Sequence, residues 1–301
     1  MKYLVTGALG AIGAWTVRSL LDRGHDVVAY DRRGGSDHRL QLALTDDELG
    51  ALTRIEGDVT DLAHVERALT EHGVEAVIHL AALQVPFVRE DPVLGAQVNV
   101  TGAVNVFEAV RRHVTSGVPL VYASSIAALA SQAGAHPDTL YGVFKFANEG
   151  TAERYFEDYG VSSIGLRPHT VYGPGRDQGL TSAPTAAMAA AAAGREFHIP
   201  FGGALQLQYA PDAGEAFARA SETRREGASA HNLDGPVATV REVIEEIERA
   251  APEAAGLITS GEEPLPFPST LDSTSFVELV GGPTSRPLAD GVAETIARFR
   301  S

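Results

Sequence analysis

Apolar residues in the first half of the chain fall into two alternating textures. Short continuous apolar runs stand at residues 3–5, 26–30, 76–80, 120–123 and 163–166. Between them, at 15–23, 62–72, 98–112 and 141–159, apolar residues recur with helical spacing. Strands that are apolar throughout are buried on both faces, and strands alternating with helices build a parallel sheet covered on both sides. The pattern therefore predicts an α/β fold with a doubly wound parallel sheet over residues 1–168. After Arg167-Pro168 glycine and proline become dense, and helical stretches alternate with short irregular pieces such as Gly173-Pro-Gly175, Pro200-Phe-Gly-Gly203 and Pro264-Leu-Pro-Phe-Pro268. Residues 169–301 are expected to form a smaller C-terminal substrate lobe, some of whose elements return to the first sheet. A helix over 239–250 is marked by Thr239 with Glu242 three residues on, the spacing of a capping box. No internal repeat is visible.

The first strand runs into Thr6-Gly7-Ala-Leu-Gly10-Ala-Ile-Gly13. Three glycines between a strand and a helix let backbone approach a pyrophosphate where a Cβ would obstruct it. The helix beginning near Ala11 aims its free N–H groups at the anion. An acidic residue, Asp31, follows the second strand, where a carboxylate meets a ribose diol. The motif in this context predicts a dinucleotide-binding Rossmann domain.

Charge narrows the partners. With 24 basic against 39 acidic side chains the net charge is −15, a field that repels a nucleic-acid backbone. Cysteine is absent, which excludes disulfides and thiolate catalysis and fits a reducing, cytoplasmic interior. The opening residues lack the layout of a signal peptide, and the alanine run 186–193 is too short for a bilayer, so no membrane partner is expected. No metal site is predicted.

Tyr141 and Lys145, four residues apart, share one helix face. A neighbouring cation favours phenolate, so Lys145 is expected to lower the Tyr141 pKa and suit it to proton transfer. Upstream, Ser124-Ser125 follows a predicted strand and offers a hydroxyl to a substrate oxygen.

These residues, with Gly57-Asp58-Val59, His79-Leu-Ala-Ala82, Asn99-Val-Thr-Gly102, Arg167-Pro168 and Val171-Tyr-Gly-Pro174, resemble the extended short-chain dehydrogenase/reductases of the sugar epimerase and dehydratase superfamily. The resemblance covers roughly the first 175 residues. It implies Tyr141 as catalytic acid/base, Lys145 as its partner and holder of the nicotinamide ribose, and Ser125, in preference to Ser124, on the reacting oxygen. Gly7, Gly10, Ile12 and Gly13 would line the pyrophosphate, and Asp58 and Val59 would meet the adenine. Ala81, Ala82 and Pro168 would pass beside the ribose or nicotinamide. Asp31 favours NAD over NADP, whereas Arg32 and Arg33 directly after it suit a 2′-phosphate. The resemblance also implies a homodimer, with helices 98–112 and 141–159 pairing into a four-helix bundle; their apolar positions Val104, Phe107, Phe144 and Phe156 suit either that interface or the core.

The reaction is less sharply marked. The family's dehydratases carry Asp-Glu after the catalytic hydroxyl residue; here Ser125 is followed by Ile126-Ala127. The family's nucleotide-sugar enzymes grip a diphosphate with an asparagine and two arginines. This chain has Thr170, Leu205 and Gly261-Glu-Glu263 at those places, with Arg176 or Arg286 as substitutes. The chain is also short for that group. The reading is an NAD-dependent oxidoreductase acting as dehydrogenase of a small sugar, sugar acid or polyol; the alternative is an NAD-dependent sugar epimerase with a transient ketone. Gln84, Ser125, His169, Thr170, Arg176 and Gln208 are the candidate substrate-binding residues, and the Arg176 guanidinium suits a carboxylate. His79 and Met188 read as structural.

Overall fold

Seven parallel strands form the central sheet of the computed structural model, which describes residues 1–32, 34–129 and 136–300. The chain opens with β1 (Lys2–Thr6), α1 (Ala11–Asp22), β2 (Asp26–Asp31), α2 (His38–Ala43), α3 (Asp46–Ala51), β3 (Thr53–Glu56), α4 (Leu62–Glu71) and β4 (Ala76–His79). It continues through α5 (Val85–Glu90), α6 (Pro92–Ala96), a π-helical turn (Gln97–Thr101), α7 (Gly102–His113), β5 (Leu120–Ala123), a 3-10 turn (Ile126–Ala128), α8 (Leu140–Tyr159) and β6 (Ser163–Arg167). Next come β7 (Thr170–Tyr172), α9 (Ala183–Ala192), β8 (Phe197–Ile199), β9 (Ala204–Tyr209), α10 (Ala210–Glu222) and β10 (Ala228–Asn232). The last elements are β11 (Val237–Thr239), α11 (Val240–Ala250), β12 (Ile258–Ser260), α12 (Thr274–Val280) and α13 (Leu288–Arg300).

The strand order is β3-β2-β1-β4-β5-β6-β10, every pairing parallel. Connections leave in opposite directions from β1 and β4, which opens a crevice at their carboxyl ends. The five apolar runs of the sequence became β1, β2, β4, β5 and β6. The edge strands β3 and β10 have no such run: Thr53-Arg-Ile-Glu is largely exposed, and Ala-Ser-Ala-His-Asn is only partly buried. Edge strands are kept polar and short because a long apolar edge would recruit other chains.

Helix boundaries moved where a cap or bulge intervened. The helix expected from residue 98 begins at Pro92, where the Asp91 side chain accepts from Leu94 N, and passes through the π turn before α7. The stretch Pro92–His113 is, among the described residues, the one helix long and apolar enough to cross a membrane. Here it lies along the sheet with Val106, Phe107 and Val110 buried. The capping box at Thr239 and Glu242 forms both of its bonds.

One core lies on each face of the main sheet. Val5, Val17, Leu20, Ile78, Val121 and Phe217 fill one; Leu4, Val28, Val77, Phe107 and Tyr122 fill the other. Phe217 comes from α10, so the later half of the chain returns to cover the first sheet. A third core, with Met188, Leu205, Leu207, Val243, Ile247 and Ile296, joins α9, α11 and α13 to the small sheet β11-β9-β7.

Candidate active site

At the end of β1 the chain turns through Gly7, whose φ is +71°; a Cβ there would lie 2.6 Å from Ala81 N. A Cβ on Gly13 would lie 2.1 Å from Gly7 O, so the first turn of α1 seats directly on the loop. Gly10 precedes α1 with no side-chain cap, which leaves the first N–H groups of the helix free for an anion. Ile12 is partly buried and packs against the core behind them. Asp31, the last residue of β2, accepts from Leu9 N and Arg32 N, each at 2.8 Å, and burial raises its carboxyl pKa. Arg32 is exposed, and Arg33 lies outside the described residues.

A cavity of about 420 Å³ lined by Arg32, Glu56, Gly57, Asp58 and His64 lies at the carboxyl ends of β2 and β3. The Asp58 carboxylate accepts from Thr60 N and Oγ1 in its own turn, and Val59 is buried beneath Gly102. Ala81 N donates to Thr6 Oγ1 at 3.3 Å, and Ala82 follows it out of β4.

The residues expected to transfer the proton converge from α8 and the 3-10 turn. Thr139 caps α8 by accepting from Gly142 N at 3.0 Å. Gly142 must be glycine for packing: a Cβ would stand 2.1 Å from Ala127 O, forcing the Ser125 turn away. The Ser125 hydroxyl acts on the Tyr141 phenol and lowers its pKa, and Ser125 Oγ accepts from Ala127 N at 3.1 Å. Lys145 is 3% exposed; its Nζ donates to Ala123 O at 2.6 Å and lies 5.7 Å from the centre of the Tyr141 ring.

The expected lowering of the Tyr141 pKa by Lys145 is corrected here. Burial raises the phenol, while the Ser125 hydrogen bond and the Arg176 charge pull it down. Lys145 instead reaches back to the β5 carbonyl, and burial lowers its own pKa to about 8.

Arg176 was expected near substrate, and its guanidinium does act on the Tyr141 charge. It donates to Gln84 Oε1 at 3.3 Å and Thr181 Oγ1 at 3.0 Å, and its buried Nε has no partner. His169 is braced within the protein: Nδ1 meets Thr170 Oγ1 at 3.1 Å, Nε2 meets Pro268 O at 2.7 Å, and Phe267 packs edge-on. His169 N donates to Gln208 Oε1 at 2.8 Å, leaving buried Gln208 Nε2 without a partner. Pro168 O accepts from Ile126 N at 3.2 Å and so ties β6 to the Ser125 turn. Ser124, the hydroxyl passed over, bonds Glu149 instead.

Residues 3–234 match the NAD dependent epimerase/dehydratase family. The chain belongs to that family. It is 30% identical to a UDP-glucose 4-epimerase of Mycolicibacterium smegmatis, a match that covers 100% of this chain and 99% of that protein. A UDP-glucuronate 4-epimerase of Arabidopsis thaliana is 31% identical over 57% of this chain and 42% of its own. Among solved structures, the UDP-glucose 4-epimerase of Thermus thermophilus in complex with NAD superposes with a TM-score of 0.84 at 26% identity, covering 100% of this chain and 99% of that one.

This family member is an NAD-dependent enzyme of the extended short-chain dehydrogenase/reductase type, and its glycine turn, uncapped helix and Asp31 fit the cofactor. The end-to-end match also corrects one inference from sequence: chain length does not set this protein apart from nucleotide-sugar enzymes. Three residues of the site went unread. Thr181 sits in a short 3-10 turn (Leu180–Ser182) that no sequence pattern marks. Gly142 owes its place to a contact made only in three dimensions. Glu149, by contrast, was readable, one turn beyond Lys145 on the same helix face.

Proposed function

We propose that this enzyme oxidises a hydroxyl of a small sugar acid, with Tyr141 as base and Arg176 holding the substrate carboxylate. The observation that carries this reading is the Arg176 guanidinium beside Tyr141. Among the described residues its hydrogen-bond partners are the neutral Gln84 and Thr181, and its Nε has none. A guanidinium held this way is disfavoured by burial until an anion arrives, and a carboxylate matches its fork.

In this mechanism Ser125 holds the reacting oxygen and the Tyr141 phenolate takes its proton. Arg176 supplies the positive charge that favours phenolate over phenol, while Lys145, held on the Ala123 carbonyl, is placed to hold the nicotinamide ribose. NAD, when bound between the glycine turn and Lys145, supplies the hydride acceptor. The preference for NAD over NADP rests on Asp31, whose carboxylate at the end of β2 would accept from the ribose hydroxyls and disfavour a 2′-phosphate. A cysteine-free chain suits the cytoplasm. We further read the exposed apolar side chains of α5, α6 and α8 as the surface that a second copy covers.

An epimerase is the second reading, favoured by the end-to-end match to the M. smegmatis enzyme. Against a nucleotide-sugar substrate stand the diphosphate-grip positions. Leu205 is 1% exposed within the core, and Thr170 Oγ1 is engaged by His169. Arg286 is engaged by Asp212 and Glu294 and lies over the Tyr209 ring.

Absorbance at 340 nm with NAD and a panel of uronates, neutral sugars and UDP-sugars tests the reading. Steady NADH formation with a uronate is expected. Arg176→Met should raise KM for that acid by at least about tenfold, the value of a lost charge-assisted bond, and leave KM for neutral sugars unchanged. An epimerised UDP-sugar with no net NADH would establish the second reading instead.

A further inference from the structure

One turn beyond Lys145, on the same face of α8, stands a carboxylate that no step above uses. Glu149 Oε1 accepts from Ser124 Oγ and from Arg167 Nε, the latter at 2.7 Å, and Oε2 accepts from Arg167 Nη2. The Glu149 and Arg167 side chains are only 11% and 17% exposed. Ser124 follows β5 and Arg167 ends β6; Arg167 Nη1 reaches Asn232 Oδ1 at the end of β10 at 3.4 Å. The carboxylate is thus fixed from two sides at the carboxyl edge of the sheet.

Lys145 has the opposite circumstance. It is buried, and its hydrogen-bond acceptor is the neutral Ala123 carbonyl. A buried ammonium on a neutral acceptor is disfavoured unless an anion offsets the lost hydration. The charged and titratable groups around it are His79 from β4, Tyr141 and Glu149 from α8, and, through Glu149, Arg167 from β6 with His231 of β10 beside it. His79 is neutral at working pH, because burial lowers its pKa to about 3. Glu149 is the carboxylate whose charge acts on the Lys145 ammonium.

We infer that Glu149, pinned by Ser124 and Arg167, is a positioning residue that keeps Lys145 charged and in register with Tyr141. Ser124 thereby has a role distinct from that of Ser125: it orients the carboxylate and leaves the substrate oxygen to its neighbour. The inference concerns Lys145 alone and does not depend on which substrate the enzyme takes.

The chain has only two lysines, Lys2 and Lys145, so protein labelled with 13C at lysine Cε gives two resonances, with Lys2 as internal reference. An NMR pH titration of the wild type should place the Lys145 midpoint near 8. In Glu149→Gln it should fall by about one pH unit or more, as expected for loss of an adjacent opposite charge, with Lys2 unmoved. Glu149→Asp, which retains the charge, should stay closer to the wild type. Because Glu149→Gln strands Arg167, the double variant Glu149→Gln/Arg167→Gln is titrated alongside and carries the test if the single variant does not fold. Its Lys145 midpoint should also be lowered, since Glu149 acts on Lys145 directly. An unchanged midpoint in folded Glu149→Gln, or a wild-type midpoint in the double variant, would overturn the inference. A failed uronate assay would leave it standing.

Discussion

With Tyr141 as the proposed base, its environment fixes the direction of the pH response. Burial raises its pKa, and the base form is the deprotonated one, so kcat for oxidation should rise with pH up to the point where the phenol is ionised. The Arg176 charge opposes burial, so Arg176→Met should move that rise to higher pH; pH–rate profiles of the two proteins measure the displacement. Tyr141→Phe removes the proton acceptor and leaves the ring. Turnover should drop by about 10²- to 10⁴-fold with NAD affinity nearly intact, as read by single-turnover kinetics and calorimetric titration of NAD. At this scale the sequence was informative about identity and less so about electrostatics. The Tyr141–Lys145 spacing revealed the shared face. Only the structure shows that Lys145 turns to Ala123 O and that Arg176, 35 positions later, supplies the charge acting on the phenol.

The elements carry these residues through a few close approaches. The α1 seat on the glycine turn is the tightest, and Gly13→Ala would drive a methyl into Gly7 O. NAD affinity should fall by more than about tenfold, since the loop must move away from where it would cradle the pyrophosphate. A second junction joins β1 to β4, where Thr6 Oγ1 and His79 Nδ1 lie 2.7 Å apart in register. The folded pKa of His79 is about 3 against an ordinary 6.5. Between those values the unfolded chain binds a proton that the native chain refuses. Its stability contribution is therefore intact above pH 6.5 and is lost as pH falls towards 3, by about 1.4 kcal/mol per pH unit within that window. His79→Gln removes this titration, so denaturant unfolding at several pH values should give a flatter profile than the wild type. Buried strands and capped helices were legible because burial writes itself as apolar runs and caps as paired residues. The edge strands β3 and β10 were not, since an exposed edge selects polar residues that resemble a loop. The π turn within 92–113 was also hidden, because a helix with one widened turn keeps nearly the same apolar spacing.

For the whole molecule the open question is what covers α5, α6 and α8. These helices pack against one another, and Phe87, Val93, Leu94, Val143 and Phe146 are 41%, 69%, 42%, 41% and 56% exposed. The sequence pointed to helices 98–112 and 141–159 and left their apolar positions open between interface and core. Phe107 is entirely buried beneath the sheet, while Val104, Phe144 and Phe156 are partly buried, because α7 turns its most apolar stripe inwards. Single exposed apolar residues are ordinary on a soluble surface, but a cluster across adjoining helices marks a contact. Two copies each carrying a net charge of −15 repel one another, so self-association must be driven by apolar burial on this face. Light scattering coupled to gel filtration should then give twice the 31.7 kDa chain mass at micromolar concentration. The dimer should tighten as added salt screens the like charges, the reverse of an interface held by ion pairs. Val143→Glu/Phe146→Glu should yield a folded monomer, with circular dichroism and NAD binding retained, because neither side chain belongs to a core or to the cofactor crevice. A wild-type monomer under these conditions would exclude a second copy as the occupant of this face.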